Sequence, residues 1–189
     1  MRIVVVYESM YGNTHLIADA IADGLRGAAD ADVTVVAVGD ADAALVGGAD
    51  LLVVGGPTHV HGMSRESTRK AAVEAAEKPG ADLVVDPDAA GAGLREWIES
   101  LGRIARHAAA FDTRFDMPPL ITGRASKGIA HKLRAHGCNV IATESFFVEK
   151  TNHLVPREDK RAREWGRELL VKQRASPEPR SASNGPNPG

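Results

Sequence analysis

Several features that mark particular protein classes are scarce or missing in this sequence. Its 189 residues include a single cysteine, Cys138, which excludes a disulfide framework and a thiolate metal cluster. No apolar run approaches the roughly 20 residues that span a bilayer. The N-terminal run Ile3–Val6 is followed by Tyr7 and Glu8, so it is too short for the apolar core of a secretory signal. A formal net charge of −2 gives no argument for a nucleic acid or an anionic membrane as a partner. We expect a soluble cytoplasmic protein.

What the sequence does contain is an alternation of two patterns. Nearly unbroken apolar runs, typical of strands buried on both faces, occur at Ile3–Tyr7, Val33–Val38, Leu51–Val54, Ala108–Phe111 and Val140–Thr143. The segments between them carry apolar residues at helical spacing, as Leu16, Ile17, Ala20 and Ile21 do. Alternation of this kind predicts parallel pairing with right-handed crossovers. The expected fold class is α/β, a three-layer doubly wound domain around a five-stranded parallel sheet.

The end of the chain has a different composition from the rest. Residues 174–189 are rich in Pro, Ser, Asn and Gly, a composition that buries little apolar surface. We therefore expect one domain over residues 1–173 and a disordered tail over residues 174–189.

The loop after the first predicted strand, Ser9–Thr14, has the composition of an anion site. Ligands of open parallel sheets bind outside the carboxyl ends of the strands, and a helix N-terminus offers free N–H groups and a partial positive charge. Ser9, Tyr11 and Thr14 add hydroxyls, Asn13 adds an amide, and Gly12 allows close backbone approach. The loop predicts a site for a phosphate monoester, unless Asn13 or Thr14 is only a helix cap.

Three other phosphate-handling motifs do not fit this loop. It lacks the lysine of a Walker A loop and has only one of the three glycines of a dinucleotide fingerprint. A phospho-receiver domain has an acidic pair after strand one, an Asp after strand three and a Lys after strand five. Here those places hold Glu8 alone, Gly55-Gly56-Pro57 and Glu144-Ser145.

At this point two motifs resemble a known family. Ser9-Met10-Tyr11-Gly12-Asn13-Thr14 is similar to the flavodoxin phosphate loop, [ST]-x-[TSY]-G-N-T, and its first four residues are also similar to those of WrbA-type NAD(P)H:quinone reductases. Gly55-Gly56-Pro57-Thr58 resembles the family's G-[GS]-P-T after strand three. The resemblance implies a sheet of order 2-1-3-4-5 that binds FMN at its switch point. The phosphate would lie in the first loop and the ring between the loops after strands three and four.

Carried over residue by residue, the resemblance gives a set of cofactor-binding residues. His59 or His61 would face one side of the flavin ring, and Arg114 or Phe115 the other. The expected set is Ser9, Met10, Tyr11, Gly12, Asn13, Thr14, Pro57, Thr58, His59, Val60, His61, Gly62, Asp112, Thr113, Arg114 and Phe115. No catalytic side chain is expected, because a flavin carries the chemistry itself. No metal site is expected, because the His59/His61 pair supplies only two ligands.

Three function classes follow from this resemblance. The protein is a one-electron carrier with bound FMN, an FMN enzyme that takes hydride from NAD(P)H, or a flavodoxin-like module that has lost flavin and acts in binding or regulation. The redox partner is not readable from the sequence. The charged residues of the ring loops are balanced or slightly cationic, which predicts a less negative flavin potential than that of acidic flavodoxins. These residues are Arg65, Arg114, His59, His61, Asp112 and Asp116.

Overall fold

A computed structural model describes residues 1–59, 62–78, 83–87, 89 and 91–177. The strands are β1 (Arg2–Tyr7), β2 (Asp32–Ala37), β3 (Leu51–His59), β4 (Gly62–Met63), β5 (His107–Phe115) and β6 (Asn139–Val148). The helices are α1 (Asn13–Leu25), α2 (Ala43–Gly47), α3 (Glu66–Ala76), α4 (Leu94–Ser100), α5 (Pro119–Thr122), α6 (Ala125–Ala135) and α7 (Glu158–Ala175), and a short 3₁₀ helix spans Val38–Asp40. Helix α7 continues past residue 173, and residues 178–189 of the expected tail lie outside the described residues.

The five long strands form one parallel sheet in the order β2-β1-β3-β5-β6. This confirms the predicted order, because the extra strand β4 is a two-residue segment that pairs antiparallel with the end of β3. The strand order reverses between β1 and β3, so the switch point lies beside the loop after β1. Strands β5 and β6 pair with one register irregularity, between Ala108 and Ala109.

Alternate residues of the buried strands supply two separate cores. One face of the sheet, with Val5, Phe111 and Phe146, packs against the apolar stripes of α1 and α7. The opposite face, with Val4, Val6 and Leu52, packs against α4 and α6. The predicted three-layer arrangement is therefore confirmed, and it leaves the carboxyl ends of β1, β3 and β5 at one edge of the molecule.

Two of these strands extend further than the sequence predicted. β3 continues to His59 and β5 to Phe115, whereas the apolar runs end at Val54 and Phe111. The prediction that the ring residues lie in loops is therefore wrong in part, because Pro57–His59 and Asp112–Phe115 belong to strand ends. The parallel ladder between β3 and β5 holds both extensions, with Gly56 opposite Asp112 and Pro57 opposite Thr113. Backbone hydrogen bonds between β3 and β5 thus keep polar residues in strand conformation, although a search for apolar runs does not predict strand there.

No helix within the described ranges has the length and apolar character needed to cross a membrane.

Candidate cofactor site

The loop after β1 turns sharply at Gly12, whose φ of 84° lies in the left-handed region. The Gly12 N–H donates to Ser9 Oγ at 3.1 Å, and Leu16 N–H donates to Gly12 O at 2.9 Å. Helix α1 begins at Asn13 with no side-chain cap and no acidic residue in its first turn. A Cβ placed on Gly12 would meet nothing within 4 Å. The uncapped start of α1 therefore opens onto free space, which is the arrangement that accepts an anion.

Buried hydroxyl groups surround this helix start. Ser9 is buried, and so are Thr14 and Thr113. Thr14 Oγ1 and Thr113 Oγ1 lie 2.7 Å apart. One hydroxyl of this pair donates and the other accepts, so one O–H remains to donate elsewhere. The Ser9 hydroxyl accepts from Gly12 and keeps its own hydrogen in the same way. The donor set thus fits a phosphate group without any cationic side chain.

Two other members of the expected phosphate set use their donors elsewhere. The Tyr11 hydroxyl donates to Ala72 O at 2.9 Å, which ties the loop to α3. The Asn13 amide donates to the backbone oxygen of Asn152 at 3.0 Å and lies 3.1 Å from its Oδ1. Asn13 therefore joins the first loop to the segment after β6. Both residues still border the groove described next, but their polar groups serve to fix the loop.

A groove runs from this loop across the carboxyl ends of β3 and β5. It is bordered by Met10, Tyr11, Asn13, Thr14, Pro57, Thr58, His59, Thr113, Arg114, Phe115, Val148 and Asn152. The structure therefore brings together most of the expected set, from elements far apart in the chain. Val148 and Asn152 were missed by the sequence analysis. Asn152 has a φ of 61°, a conformation that Asn tolerates better than most residues, but nothing in the sequence assigns it to the groove.

Thr58 and Asp112 use their side-chain oxygens to bind the start of α6. Thr58 Oγ1 accepts from Ala125 N–H at 2.9 Å, and Asp112 Oδ2 accepts from Ser126 N–H at 2.7 Å. Both side chains thereby satisfy N–H groups at the start of α6. Asp112 is fully buried, and this burial raises the pKa of its carboxyl above the ordinary value. Asp112 is not among the residues that border the groove, whereas Thr58 is.

Arg114 is held by the polypeptide that surrounds it. Its Nη1 donates to Phe115 O at 3.2 Å, Met117 O at 2.6 Å and Thr122 Oγ1 at 3.2 Å. The guanidinium carbon lies 4.7 Å from the centroid of the Phe147 ring. Arg114 therefore fixes the segment after β5, whereas the Phe115 side chain is 47% exposed beside the groove. Of the two, Phe115 has the freedom to cover a ring.

The histidine side of the groove is described only in part. His59 borders the groove, and burial lowers the pKa of its imidazole, which favours the neutral form. Gly62 borders a neighbouring cavity. The expected contacts of Val60 and His61 lie outside the described residues.

Glu8 is a buried polar residue to which the sequence analysis gave no role. Its Oε1 accepts from the Ser64 hydroxyl, and its Oε2 accepts from Leu94 N–H at 2.8 Å. Burial raises the pKa of this carboxyl, and the hydrogen bonds from Ser64 and Leu94 oppose that rise. Glu8 therefore links the end of β1 to the start of α4. A lone acidic residue directly after a buried strand was the available signal.

Comparison with known proteins agrees with this architecture. The flavodoxin family model matches residues 5–92, the part that contains both motifs. An archaeal flavodoxin aligns with a TM-score of 0.60 and 20% identity, covering 92% of this chain and 99% of its own. Flavodoxin 1 from Bacillus cereus aligns with a TM-score of 0.60 and 18% identity, covering 90% of this chain and 98% of its own. A WrbA-like flavodoxin from Agrobacterium tumefaciens aligns with a TM-score of 0.53 and 18% identity, covering 92% of this chain and 98% of its own. No curated protein matches the sequence.

These likenesses to solved structures show the fold. Proteins of the flavodoxin family bind FMN, and the uncapped α1 start with its buried hydroxyls fits a phosphate monoester. The strand order of the sheet and the alignments with solved flavodoxins give the chain a flavodoxin-like fold, and residues 5–92 carry the sequence pattern of the flavodoxin family.

Proposed function

We propose that this protein binds FMN in the groove at the switch point and works in electron transfer as an NAD(P)H-dependent reductase. The observation that carries the proposal is the uncapped N-terminus of α1 beside Ser9, Thr14 and Thr113. This donor set takes a dianionic phosphate without a lysine. Bound FMN supplies the hydride-accepting and electron-donating chemistry.

The residues of the chain have separate tasks in this proposal. The N–H groups at the start of α1 and the Ser9 hydroxyl bind the phosphate. Phe115 covers one face of the flavin ring, and the Pro57–His59 strand end meets the other side. Tyr11 and Asn13 hold the first loop in place through Ala72 and Asn152. The chain thus binds and orients the cofactor and supplies no reacting side chain.

The charge of the groove favours a reductase over a one-electron carrier that docks a basic partner. The described residues that border the groove include the cationic Arg114 but no carboxylate. An electron donor that carries phosphate groups is therefore not repelled, whereas an acidic collar for a basic protein partner is missing from this border.

A titration of the apo-protein tests the cofactor assignment. The fluorescence of the flavin should be quenched when FMN binds. Riboflavin, which lacks the phosphate, should bind at least tenfold more weakly. The double variant Ser9→Ala/Thr14→Val removes two hydroxyls, and we expect about 10- to 100-fold loss of FMN affinity, on the scale of hydrogen bonds to a charged group. Riboflavin affinity should stay unchanged.

Ser100→Ala is the matched control for this double variant. Its hydroxyl donates to Trp97 O at 2.7 Å at the far end of α4, so FMN affinity should not change. Equal affinities for FMN and riboflavin would refute the phosphate site. No quenching at high micromolar FMN would instead favour the flavin-free binding or regulatory module. Steady NAD(P)H oxidation with a quinone acceptor then separates the reductase from the carrier.

A further inference from the structure

A second cavity lies next to the groove on the α3 side. Its volume is about 330 Å³, and its walls come from three elements. The end of the β3–β4 pair contributes His59 and Gly62, the start of α3 contributes Arg65 and Ser67, and α4 contributes Arg95. His59 borders both this cavity and the groove. The two spaces are therefore neighbours that share one wall.

Neither arginine of this cavity forms a direct ion pair within the described residues. Arg95 donates to Met63 O at 3.2 Å and to Ser64 O at 3.5 Å, both of which are uncharged. Within the described ranges, Arg65 forms no ion pair. The acidic neighbours along the two helices form ion pairs with other cations, Glu66 with Lys70 at 2.7 Å, Glu96 with Arg69 at 3.3 Å and Glu99 with Lys132 at 2.6 Å. Glu99 also interacts with Arg95 at longer range.

Neutral donors add to this positive charge. The Ser67 side chain is exposed at the cavity, whereas the Thr68 hydroxyl is engaged with Arg65 N–H and Arg65 O, each at 2.8 Å. Two guanidinium groups and one hydroxyl form a donor set suited to a phosphate monoester.

The position of the cavity beside the groove indicates which phosphate-bearing ligand it suits. A hydride donor must place its nicotinamide over the flavin ring, and its phosphates then lie beyond the groove. We propose that this cavity binds the 2′-phosphate of NADPH through Arg65 and Arg95, so that NADPH and not NADH is the donor. An arginine that accommodates the 2′-phosphate is the usual physical basis for this preference. This proposal rests on the proposed function for the donor's role, but its binding test does not need flavin.

Calorimetric titration of the protein with 2′,5′-ADP and with 5′-AMP tests the site directly. 2′,5′-ADP carries the phosphate in question without a nicotinamide, so its binding is measured independently of FMN and of turnover. We expect 2′,5′-ADP to bind at least tenfold more tightly than 5′-AMP, and inorganic phosphate to bind more weakly than 2′,5′-ADP. The affinity should fall as salt is raised, because both partners are charged.

The double variant Arg65→Gln/Arg95→Gln should reduce 2′,5′-ADP affinity by 10-fold or more and leave FMN affinity unchanged. Arg134→Gln/Arg167→Gln removes the same charge from exposed positions on α6 and α7 and should leave both affinities unchanged. Equal loss in the two double variants would overturn the assignment, because it would show a non-specific charge effect. Equal binding of 2′,5′-ADP and 5′-AMP, or inorganic phosphate binding as tightly as 2′,5′-ADP, would overturn it as well.

The two proposals can fail separately in this design. FMN binding without preferential 2′,5′-ADP binding overturns the NADPH site and leaves the flavin assignment in place. Preferential 2′,5′-ADP binding that depends on the two arginines, in a protein that does not bind FMN, supports the phosphate site and refutes the proposed flavin chemistry.

Discussion

Single residues in this protein serve the site mainly by holding other parts of the chain. Thr58 and Asp112 satisfy the start of α6, Asn13 holds the segment after β6, and Arg114 fixes the segment after β5. Each of these residues was expected to contact the cofactor. Polar groups at a buried strand end must first satisfy nearby backbone groups, because leaving those groups unpaired costs about 1–3 kcal/mol each.

Asp112 gives a prediction for pH dependence at this scale. Its carboxyl has a raised pKa in the folded state, so the folded protein holds its proton more strongly than the unfolded chain. Stability from this residue is therefore full below the ordinary pKa of about 3.9 and falls as pH rises through the raised value. Asp112→Asn keeps an acceptor for Ser126 N–H and does not ionise. The unfolding free energy of wild type should thus fall relative to this variant across that window.

The size of this change is about 1.4 kcal/mol for each unit by which the pKa is raised. Urea unfolding of both proteins between pH 4 and pH 8 measures it. Asp116→Asn, at an exposed neighbouring position, is the control for removing a carboxylate from this region. A difference between wild type and Asp112→Asn that is independent of pH, or that grows in the opposite direction, would contradict the prediction.

At the scale of secondary-structure elements, the contact between α1 and α7 limits what the fold tolerates. A Cβ on Gly24 would lie 2.0 Å from Arg163 O, and a Cβ on Gly166 would lie 2.3 Å from Ile21 O. The two helix backbones therefore approach each other through paired glycines. This close packing positions α1, whose start forms the phosphate loop.

Gly24→Ala should destabilise the protein by about 1–3 kcal/mol, since the added methyl group meets backbone that cannot rotate away. Gly47→Ala is the matched control, because a Cβ there meets nothing within 4 Å, and its effect should stay within about 1 kcal/mol. Thermal unfolding of both variants measures the difference. Equal melting temperatures for the two variants would show that α1 and α7 can separate without cost.

At the scale of the whole molecule, the distribution of charge sets the expected redox behaviour. The described border of the groove carries Arg114 and no carboxylate, and Arg65 and Arg95 lie in the adjoining cavity. Positive charge stabilises the fully reduced, anionic flavin. The protein should therefore have a less negative potential for full reduction than flavodoxins with acidic surroundings.

Phe115→Glu tests this electrostatic account directly, because Phe115 is partly exposed at the groove. A new negative charge there should lower the potential by tens of millivolts, on the order expected for one charge at roughly 8 Å and an effective dielectric constant near 20. Phe115→Gln introduces an uncharged side chain of the same length as Glu, so it is the control for the loss of the Phe115 ring. A redox titration that gives the same potential for both variants would contradict the account.

The sequence by itself determined the class of fold and predicted the place of the candidate site. Unbroken apolar runs separated by helical patterns lead to a parallel sheet, and the polar Ser9–Thr14 loop follows the first strand. Both signals are local, because strand burial and helix starts depend on neighbouring residues. A local pattern also located the second motif at Gly55–Thr58, but it ended β3 and β5 too early.

The tertiary structure decided which polar groups meet. Thr14 pairs with Thr113, 99 residues away, and Asn13 with Asn152, 139 residues away. Arg65 and Arg95 share a cavity because Arg95, on α4, donates to the backbone of Met63 and Ser64, directly before Arg65. Strand register and helix packing determine which of these groups become partners. Both depend on contacts between distant parts of the chain, so no short stretch of sequence encodes the pairs.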